Sequence, residues 1–162
     1  MVLADIVSAQ APNIQAWPAL GGPPVYAAFS PIILKRAETS EPQFVVTFTE
    51  DKQGFYINGQ KFEMNSGPML TVDVGSLQHW RVVNSTKEVH PFHIHQVHFL
   101  VYSVDGKSVN DPEWVDTVNV PYGYPVDLVM DFTDPIIRGI SLFHCHILKH
   151  EDKGMMAKIV FR

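Results

Sequence analysis

The residues with the clearest chemistry in this chain of 162 amino acids lie in one short stretch, positions 144–156. The stretch, His-Cys-His-Ile-Leu-Lys-His-Glu-Asp-Lys-Gly-Met-Met, holds the single cysteine, three of the eight histidines and two of the six methionines. A thiolate, two imidazoles and a weak axial thioether are the ligands of a blue-copper site. One such site cannot use every ligand in the stretch, which predicts a second metal centre beside the first.

A second group of histidines lies in the segment 90–95, His-Pro-Phe-His-Ile-His. Alternate side chains of a β-strand share a face, so His93 and His95 are expected on one side. His90 lies three residues before His93 and is followed by a proline that favours an extended start to the strand. We therefore expect His90 to point elsewhere.

The same alternation divides the later stretch, because His144 and His146 should share one face while Cys145 points to the other. Two ligand sets follow from this sorting. The first combines Cys145 with two histidines, and the second is a set of four imidazoles: His90 and His150 join the cysteine, and His93, His95, His144 and His146 form the other set.

Copper is the metal that the first set predicts. Met155, in the loop after His150, is the expected axial thioether, and Gly154 before it lets the backbone bend. Met156 is the alternative, although alternation predicts that it turns into the core. Cysteine and histidine also bind zinc, but zinc has no use for a distant thioether, so the methionine favours copper.

The four-imidazole set is hard to explain without a metal. Single histidines are usually exposed or satisfied by ordinary hydrogen bonds, and that is the alternative interpretation here. Burying four imidazoles without partners is costly, however, and two His-x-His pairs around a cysteine ligand are unusual for structural histidines.

The elements that must position these residues are β-strands. From Gln43 onward, alternation such as that of Phe44, Val46 and Phe48 predicts strands with one buried face, and similar runs follow at 55–62, 69–75, 79–86, 92–104, 113–120, 126–132, 139–148 and 155–161. Many short strands and few helical patterns predict an all-β, Greek-key sandwich or barrel over residues 43–162. Residues 1–42, with six of the twelve prolines, are predicted to form an extended arm or interdomain connector.

Composition narrows the classes of function. A formal net charge of −5 and the lack of a basic run argue against nucleic-acid binding. No apolar stretch has membrane-spanning length. The first seven residues carry Asp5 and no basic residue, unlike a secretion signal. We therefore expect either a cytoplasmic protein or a signal and further sequence upstream of this chain.

The two histidine motifs resemble the third and fourth copper-binding motifs of the multicopper oxidases, the family of laccases, bilirubin oxidases and bacterial cuprous oxidases. The resemblance covers most of residues 43–162 and includes Phe-Tyr-Ile-Asn-Gly at 55–59 and Trp-Val-Asp-Thr-Val at 114–118. It implies a cupredoxin-type fold, copper as cofactor and dioxygen as electron acceptor. A type 1 copper would accept electrons from a reducing substrate, and a trinuclear cluster would reduce dioxygen to water.

The resemblance also implies a role for each ligand. The type 1 copper ligands would be His90, Cys145, His150 and Met155; His93 would bind the type 2 copper, and His95, His144 and His146 would bind type 3 copper. Glu151 matches a glutamate that feeds protons to the cluster in bacterial members, although a surface acid is an equal alternative. Asp116 could orient a ligand imidazole, or could simply end a strand. His79 and His98 lie outside the motifs and are expected to be structural or exposed.

The trinuclear cluster of this family uses eight histidines, and this chain supplies four of them. The resemblance therefore implies another cupredoxin domain with two further His-x-His motifs, either in a longer parent chain or in a partner subunit. The parent would be periplasmic or secreted. The alternative function is a stand-alone mononuclear blue-copper electron carrier or copper-binding protein. The lack of a methionine-rich insert weakly favours an organic reducing substrate, whose identity stays open.

Overall fold

The computed structural model describes residues 40–162, and most of the regular structure in this range is β-strand. The predicted arm at 1–42 lies outside the described residues except for its last three positions. The strands, in chain order, are β1 (Phe44–Asp51), β2 (Gly54–Ile57), β3 (Leu70–Val72), β4 (Ser76–Asn84), β5 (His90–Ile94), β6 (Phe99–Val104), β7 (Lys107–Ser108), β8 (Trp114–Val115), β9 (Thr117–Val120), β10 (Val126–Phe132), β11 (Gly139–Cys145) and β12 (Met156–Phe161). A 3₁₀ turn at Pro135–Ile137 and a short helix, Leu148–Asp152, complete the described elements.

The strands form two sheets that face each other. One has the order β2-β1-β4-β10-β6-β7, with β8 beside β6, and the other has the order β3-β12-β11-β5-β9. The β1–β4 and β3–β12 pairs are parallel and the other pairs are antiparallel. Neighbouring strands are often distant in sequence, as Greek-key connections require. The prediction of an all-β sandwich or barrel is confirmed, with the strands arranged in two sheets.

Large apolar side chains from both sheets fill the space between them. In β1, Val46 and Phe48 are buried as the alternation predicts, and Trp80 and Phe92 are among the largest fully buried side chains. Cys145 belongs to the same core. Burial of this kind stabilises the fold by about 25 cal/mol per Å² of apolar surface. The Cys145 side chain therefore lies on the inner face of β11, where the packed core restricts its movement.

Two tight turns occur at sequences typical of such turns, Asn-Gly and Asp-Gly. Asn58 and Gly59 both have positive φ, 50° and 73°, after β2, and Asp105 and Gly106 have φ of 54° and 70° between β6 and β7. Consecutive positive φ angles are those of the turn that fits the twist of a β-hairpin. These turns fix where the neighbouring strands begin and end.

The predicted strand at 92–104 is wrong as a single element. Residues 95–98 separate β5 from β6, which belong to different sheets, and Gln96 has a φ of 68° at the break. The apolar run looked continuous because Val97 between the strands is also buried. The break has a structural consequence, since the chain crosses between the sheets directly after His95.

Two further expectations are corrected. The predicted strand at 139–148 ends at Cys145, and a helix begins at Leu148. In β10 both faces are covered, because Asp127 and Val129 are buried along with the alternating apolar residues.

Within residues 40–162, no helix is long and apolar enough to cross a bilayer.

Candidate metal centres

Three ligand atoms converge at one end of the sandwich. The Nδ1 atom of His90 lies 3.3 Å from the Sγ atom of Cys145, and the Nδ1 atom of His150 lies 3.6 Å from the same sulfur. The two Nδ1 atoms are 3.1 Å apart. The centre of such a triangle is about 2 Å from each corner, close to the usual metal–nitrogen and metal–sulfur distances. The three side chains therefore fit a small cation in a trigonal plane.

Local structure explains how these side chains meet. His90 begins β5 and Cys145 ends β11, and the two strands pair so that Cys145 is opposite Phe92. The short helix then brings His150 back, with its backbone N–H donating to the carbonyl of Ile147 at 2.8 Å. The strands alone bring only two of the three ligands together, and the helix, which lies where the predicted strand at 139–148 ends, supplies the third.

The outer nitrogen of each imidazole has its own partner. The Nε2 atom of His90 lies 2.7 Å from Thr86 Oγ1, and the Nε2 atom of His150 lies 3.3 Å from Glu88 Oε1. A histidine ligand uses one nitrogen for the metal and the other for such a partner, which sets the ring orientation. Both inner nitrogens are thus directed at the cysteine.

The centre is almost closed to solvent. Cys145 and His90 are fully buried and His150 is 3% exposed. Burial raises the pKa of the Cys145 thiol to about 11, and it lowers the pKa of His90 to about 4, with a further lowering from nearby His150. Without a cation the thiol keeps its proton near neutral pH, whereas a bound metal favours the thiolate.

Aromatic rings pack around the two imidazoles. The Phe55 ring stacks on His150 with a centroid distance of 4.1 Å, and Phe48 packs against His90 at 5.6 Å. These rings allow the imidazoles few alternative rotamers and exclude water from the ligand atoms. Phe55 belongs to the family pattern at 55–59, which by itself predicted no contact with the site.

The structure distinguishes between the two methionines. Met155 is fully buried, its N–H donates to the carbonyl of His150, and its own carbonyl accepts from the N–H of Cys145. Gly154 precedes it with a φ of 112°, a conformation that favours glycine. Met156 is half-buried and pairs with His144 in the sheet, so the expectation that it turns into the core is wrong. Met155 occupies the core position instead.

The four-imidazole set lies on the outer face of the β5–β11 pair. His144 is directly opposite His93 in the sheet, and the Nε2 atoms of His95 and His144 are 3.0 Å apart. His146 packs beside His93 with a ring-centroid distance of 5.0 Å. Nitrogens of His93, His95 and His144 lie within 4.8 Å of one another. The structure therefore brings all four rings together, and three offer nitrogens close enough to share a metal.

Burial differs across this set. His144 is buried, His93 is half-buried, and His95 and His146 are exposed. Desolvation by the surrounding protein lowers the pKa of His93 and of His95, and neighbouring imidazoles lower it further. The set is consequently open on the side that faces away from the core.

Asp116 reaches His93 mainly through its backbone. The Nδ1 atom of His93 lies 2.9 Å from the carbonyl oxygen of Asp116 and 2.8 Å from Thr117 Oγ1, whereas the Asp116 carboxylate is 3.8 Å away. The Thr117 hydroxyl donates to that carboxylate at 2.8 Å. The ring of His93 is thus oriented by Asp116 and Thr117 together. Thr117 belongs to the family pattern at 114–118, which by itself predicted no role for it.

Glu151 lies beside the other end of the set. Its Oε2 atom is 3.5 Å from the Nδ1 atom of His144, and its side chain is 29% exposed. The same Nδ1 atom is 3.0 Å from the carbonyl of Cys145. The carboxylate therefore touches both solvent and the imidazole set.

The two remaining histidines are outside both sets. His79 is buried, with its Nε2 atom 2.7 Å from the Tyr102 hydroxyl and 3.1 Å from Asp127 Oδ1. His98 is half-buried and helps to line a cleft of about 320 Å³ beside His93 and His95. His79, on β4, therefore has a structural role. Its contact with Asp127, on the neighbouring strand β10, gives that buried carboxylate a polar partner.

The cysteine site predicts a dependence of stability on pH. The pKa of His90 is about 4 in the folded chain, against 6.5 for an ordinary histidine, so the unfolded chain takes up this proton first. The stability contributed by the neutral ring is present above pH 6.5 and is lost as the pH falls towards 4, by up to about 3 kcal/mol. Urea unfolding of the metal-free chain at pH 7 and pH 5 should show the loss.

His90→Gln is the control for this prediction, because glutamine does not titrate. The difference in unfolding free energy between pH 7 and pH 5 should be smaller in this variant. An equal difference in the variant and the natural chain would contradict the role given to His90.

Residues 35–162 match a family model described as multicopper oxidase. The chain is 37% identical over 109 residues to the multicopper oxidase mco of Staphylococcus aureus, covering 64% of this chain and 24% of that protein. It is 28% identical over 154 residues to a laccase of Bacillus stratosphericus, covering 82% of this chain and 30% of the laccase. The crystal structure of the McoA multicopper oxidase from Aquifex aeolicus superposes with a TM-score of 0.68 and 30% identity, over 76% of this chain and 30% of that one. The chain thus spans about a quarter to a third of the length of these relatives.

Proposed function

Because this chain belongs to the multicopper oxidase family, we propose that it forms the part of a copper oxidase that holds the type 1 copper and half of the trinuclear cluster. One observation carries the proposal. His144 and Cys145 are adjacent in the chain, yet their side chains belong to two different ligand sets on opposite faces of β11. A single strand thereby connects the two sites.

The proposed assignment follows the two sets. The ligands of the type 1 copper are His90, Cys145, His150 and Met155; His93 is the type 2 ligand, and His95, His144 and His146 are the type 3 ligands. Copper bound at these sites supplies one-electron oxidation of a reducing substrate and four-electron reduction of dioxygen to water. The donor set supports copper, since a buried cysteine with two imidazoles and a buried methionine in the loop after His150 suits this metal.

The protein residues supply rigidity and insulation. The rings of Phe48 and Phe55 hold His90 and His150 in place. The hydrogen bond from the backbone N–H of Cys145 to the carbonyl of Met155 fixes the loop around the site. A site held in one geometry needs little rearrangement when its charge changes. The arrangement therefore suits electron transfer.

Another domain is needed to complete the function. The imidazole set supplies four of the eight histidines that the trinuclear cluster of this family uses. It is open to solvent at His95 and His146. We propose that a cupredoxin domain with two further His-x-His motifs covers this face, in the same parent chain or in a partner subunit. The relatives support this, since each is about three to four times as long as its matched part. The proposal includes a periplasmic or secreted location for the assembly.

Glu151 is the proposed proton donor to the cluster. Reduction of dioxygen to water consumes protons, and the Glu151 carboxylate lies between solvent and the His144 ring. The alternative is a surface acid with no part in the reaction. The 3.5 Å contact with His144 favours the first interpretation.

The second candidate function is a mononuclear copper electron carrier. It is favoured by the cysteine site, which has its cysteine and both histidines within this chain. Under this hypothesis the four imidazoles on the outer face have no catalytic role. The two functions differ in the amount of copper bound by the complete protein.

Copper counting tests the proposal. The 162-residue chain alone should bind one copper tightly, absorb in the visible as a blue-copper site and consume no dioxygen. Joined to the domain with the missing His-x-His motifs, it should bind the three coppers of the cluster as well and consume dioxygen. Elemental analysis and an oxygen electrode measure both quantities. A complete parent protein with one copper and no oxygen consumption would favour the carrier instead, and a chain without blue absorption would exclude both functions.

A further inference from the structure

We infer that Thr86, held in place by Asn84, is a positioning residue that keeps the proton of His90 on Nε2 and so presents Nδ1 to the metal. The inference rests on the proposed function, because His90 is one of the proposed type 1 copper ligands. It concerns two residues outside the ligand motifs: Asn84 ends β4, and Thr86 lies in the loop between β4 and β5.

The hydroxyl of Thr86 has four close neighbours. Its Oγ1 atom lies 2.8 Å from Asn84 Oδ1, 3.2 Å from the carbonyl oxygen of Glu88 and 2.7 Å from Nε2 of His90, and it accepts the N–H of Glu88 at 3.3 Å. A hydroxyl has one hydrogen to donate and two lone pairs. The position of that hydrogen decides which nitrogen of His90 is protonated.

The contact with Asn84 determines where the hydrogen lies. If the Thr86 hydroxyl donated to His90, its oxygen would face Asn84 Oδ1 at 2.8 Å with no hydrogen between them. Two oxygens at that distance repel each other. With the hydrogen directed at Asn84, the Nε2–H of His90 donates to Thr86 and every group has a partner.

The amide of Asn84 cannot be reversed to escape this constraint. Its Nδ2 atom donates to the carbonyls of Glu88 at 2.7 Å and Val120 at 2.8 Å, and its Oδ1 accepts the N–H of Thr86 at 3.0 Å. A flipped amide would direct oxygen at two carbonyl oxygens and nitrogen at an N–H group. The direction of the Thr86 hydrogen bond is therefore set by the backbone around it.

Water cannot substitute for this network. Asn84 is 1% exposed, Thr86 is 2% exposed and His90 is fully buried. A buried donor that loses its acceptor pays the desolvation cost in full. His150 differs in this respect, because its outer partner Glu88 is 54% exposed and water can replace the carboxylate. The tautomer of His90 thus depends on one hydroxyl.

The first test measures the tautomer directly. Nitrogen-15 NMR of the metal-free 162-residue chain at pH 7.5, where the lowered pKa keeps His90 neutral, should show the proton on Nε2. The same measurement on Thr86→Val should show that signal lost or moved to Nδ1, and Thr86→Ser should restore it. A proton on Nδ1 in the natural chain would overturn the inference without any variant having to fold.

The second test measures the consequence for the metal. Thr86→Val should weaken Cu²⁺ binding, in competition with a chelator, by about 10–100-fold, while Thr86→Ser should remain within about threefold. Thr71→Val on the exposed face of β3 is the control for the loss of a threonine hydroxyl and should leave affinity unchanged. Equal affinity of Thr86→Val and the natural chain would also overturn the inference. If the natural chain binds no copper, the proposed function fails, whereas the tautomer of the metal-free chain still decides the role of Thr86.

Discussion

Cys145→Ser is expected to abolish the blue absorption and to weaken copper binding at the type 1 site by more than about 100-fold. The sulfur lies 3.3 Å and 3.6 Å from the two imidazole nitrogens and is fully buried, so other side chains cannot move in to replace it. Serine keeps the size of the side chain, but its hydroxyl does not ionise near neutral pH. Visible absorption and chelator competition on the 162-residue chain measure both effects.

The fold should survive this substitution, because the two side chains differ by one atom. Thermal unfolding of the metal-free variant checks that expectation. Met64→Leu is a useful control, since it removes a sulfur atom at a position that is 80% exposed. Its absorption and affinity should equal those of the natural chain. Intense blue absorption in Cys145→Ser would exclude the cysteine as a ligand and, with it, the type 1 assignment.

The separation of the two ligand sets could be predicted from sequence because alternation in a strand is a local property. His144 and Cys145 must point to opposite faces wherever the strand lies. The grouping of His93 and His95 with His144 and His146 came from the same alternation, applied to each of the two motifs. The structure brings these side chains together through the register of β5 and β11.

The partners of the ligands could not be predicted in this way. Thr86 and Glu88 precede His90 by four and two residues in an irregular loop, where no repeat tells which side chain points inward. The break after His95 was hidden because Val97 is buried by tertiary contacts in a segment outside the strands. The helix that carries His150 has only five residues, too few for a helical pattern to be visible.

His144→Ala is expected to leave the blue absorption of the 162-residue chain unchanged while lowering oxygen reduction by the complete oxidase by about 100-fold or more. The His144 ring is on the face of β11 opposite the Cys145 sulfur, and its Nε2 atom lies 3.0 Å from that of His95. Removing it takes one of the three imidazoles whose nitrogens lie within 4.8 Å of one another. Absorption of the chain and oxygen consumption by the assembly measure the two effects separately.

The matched control is His98→Ala, which removes a half-buried imidazole beside the same cleft but outside the ligand set. It should preserve both absorption and oxygen consumption. Undiminished oxygen reduction in His144→Ala would show that the outer imidazoles are not part of the catalytic cluster. Loss of the blue absorption in the same variant would show instead that the two faces of β11 are not independent. Only intact absorption with lost oxygen reduction fits a strand that supplies one ligand to each of two copper sites.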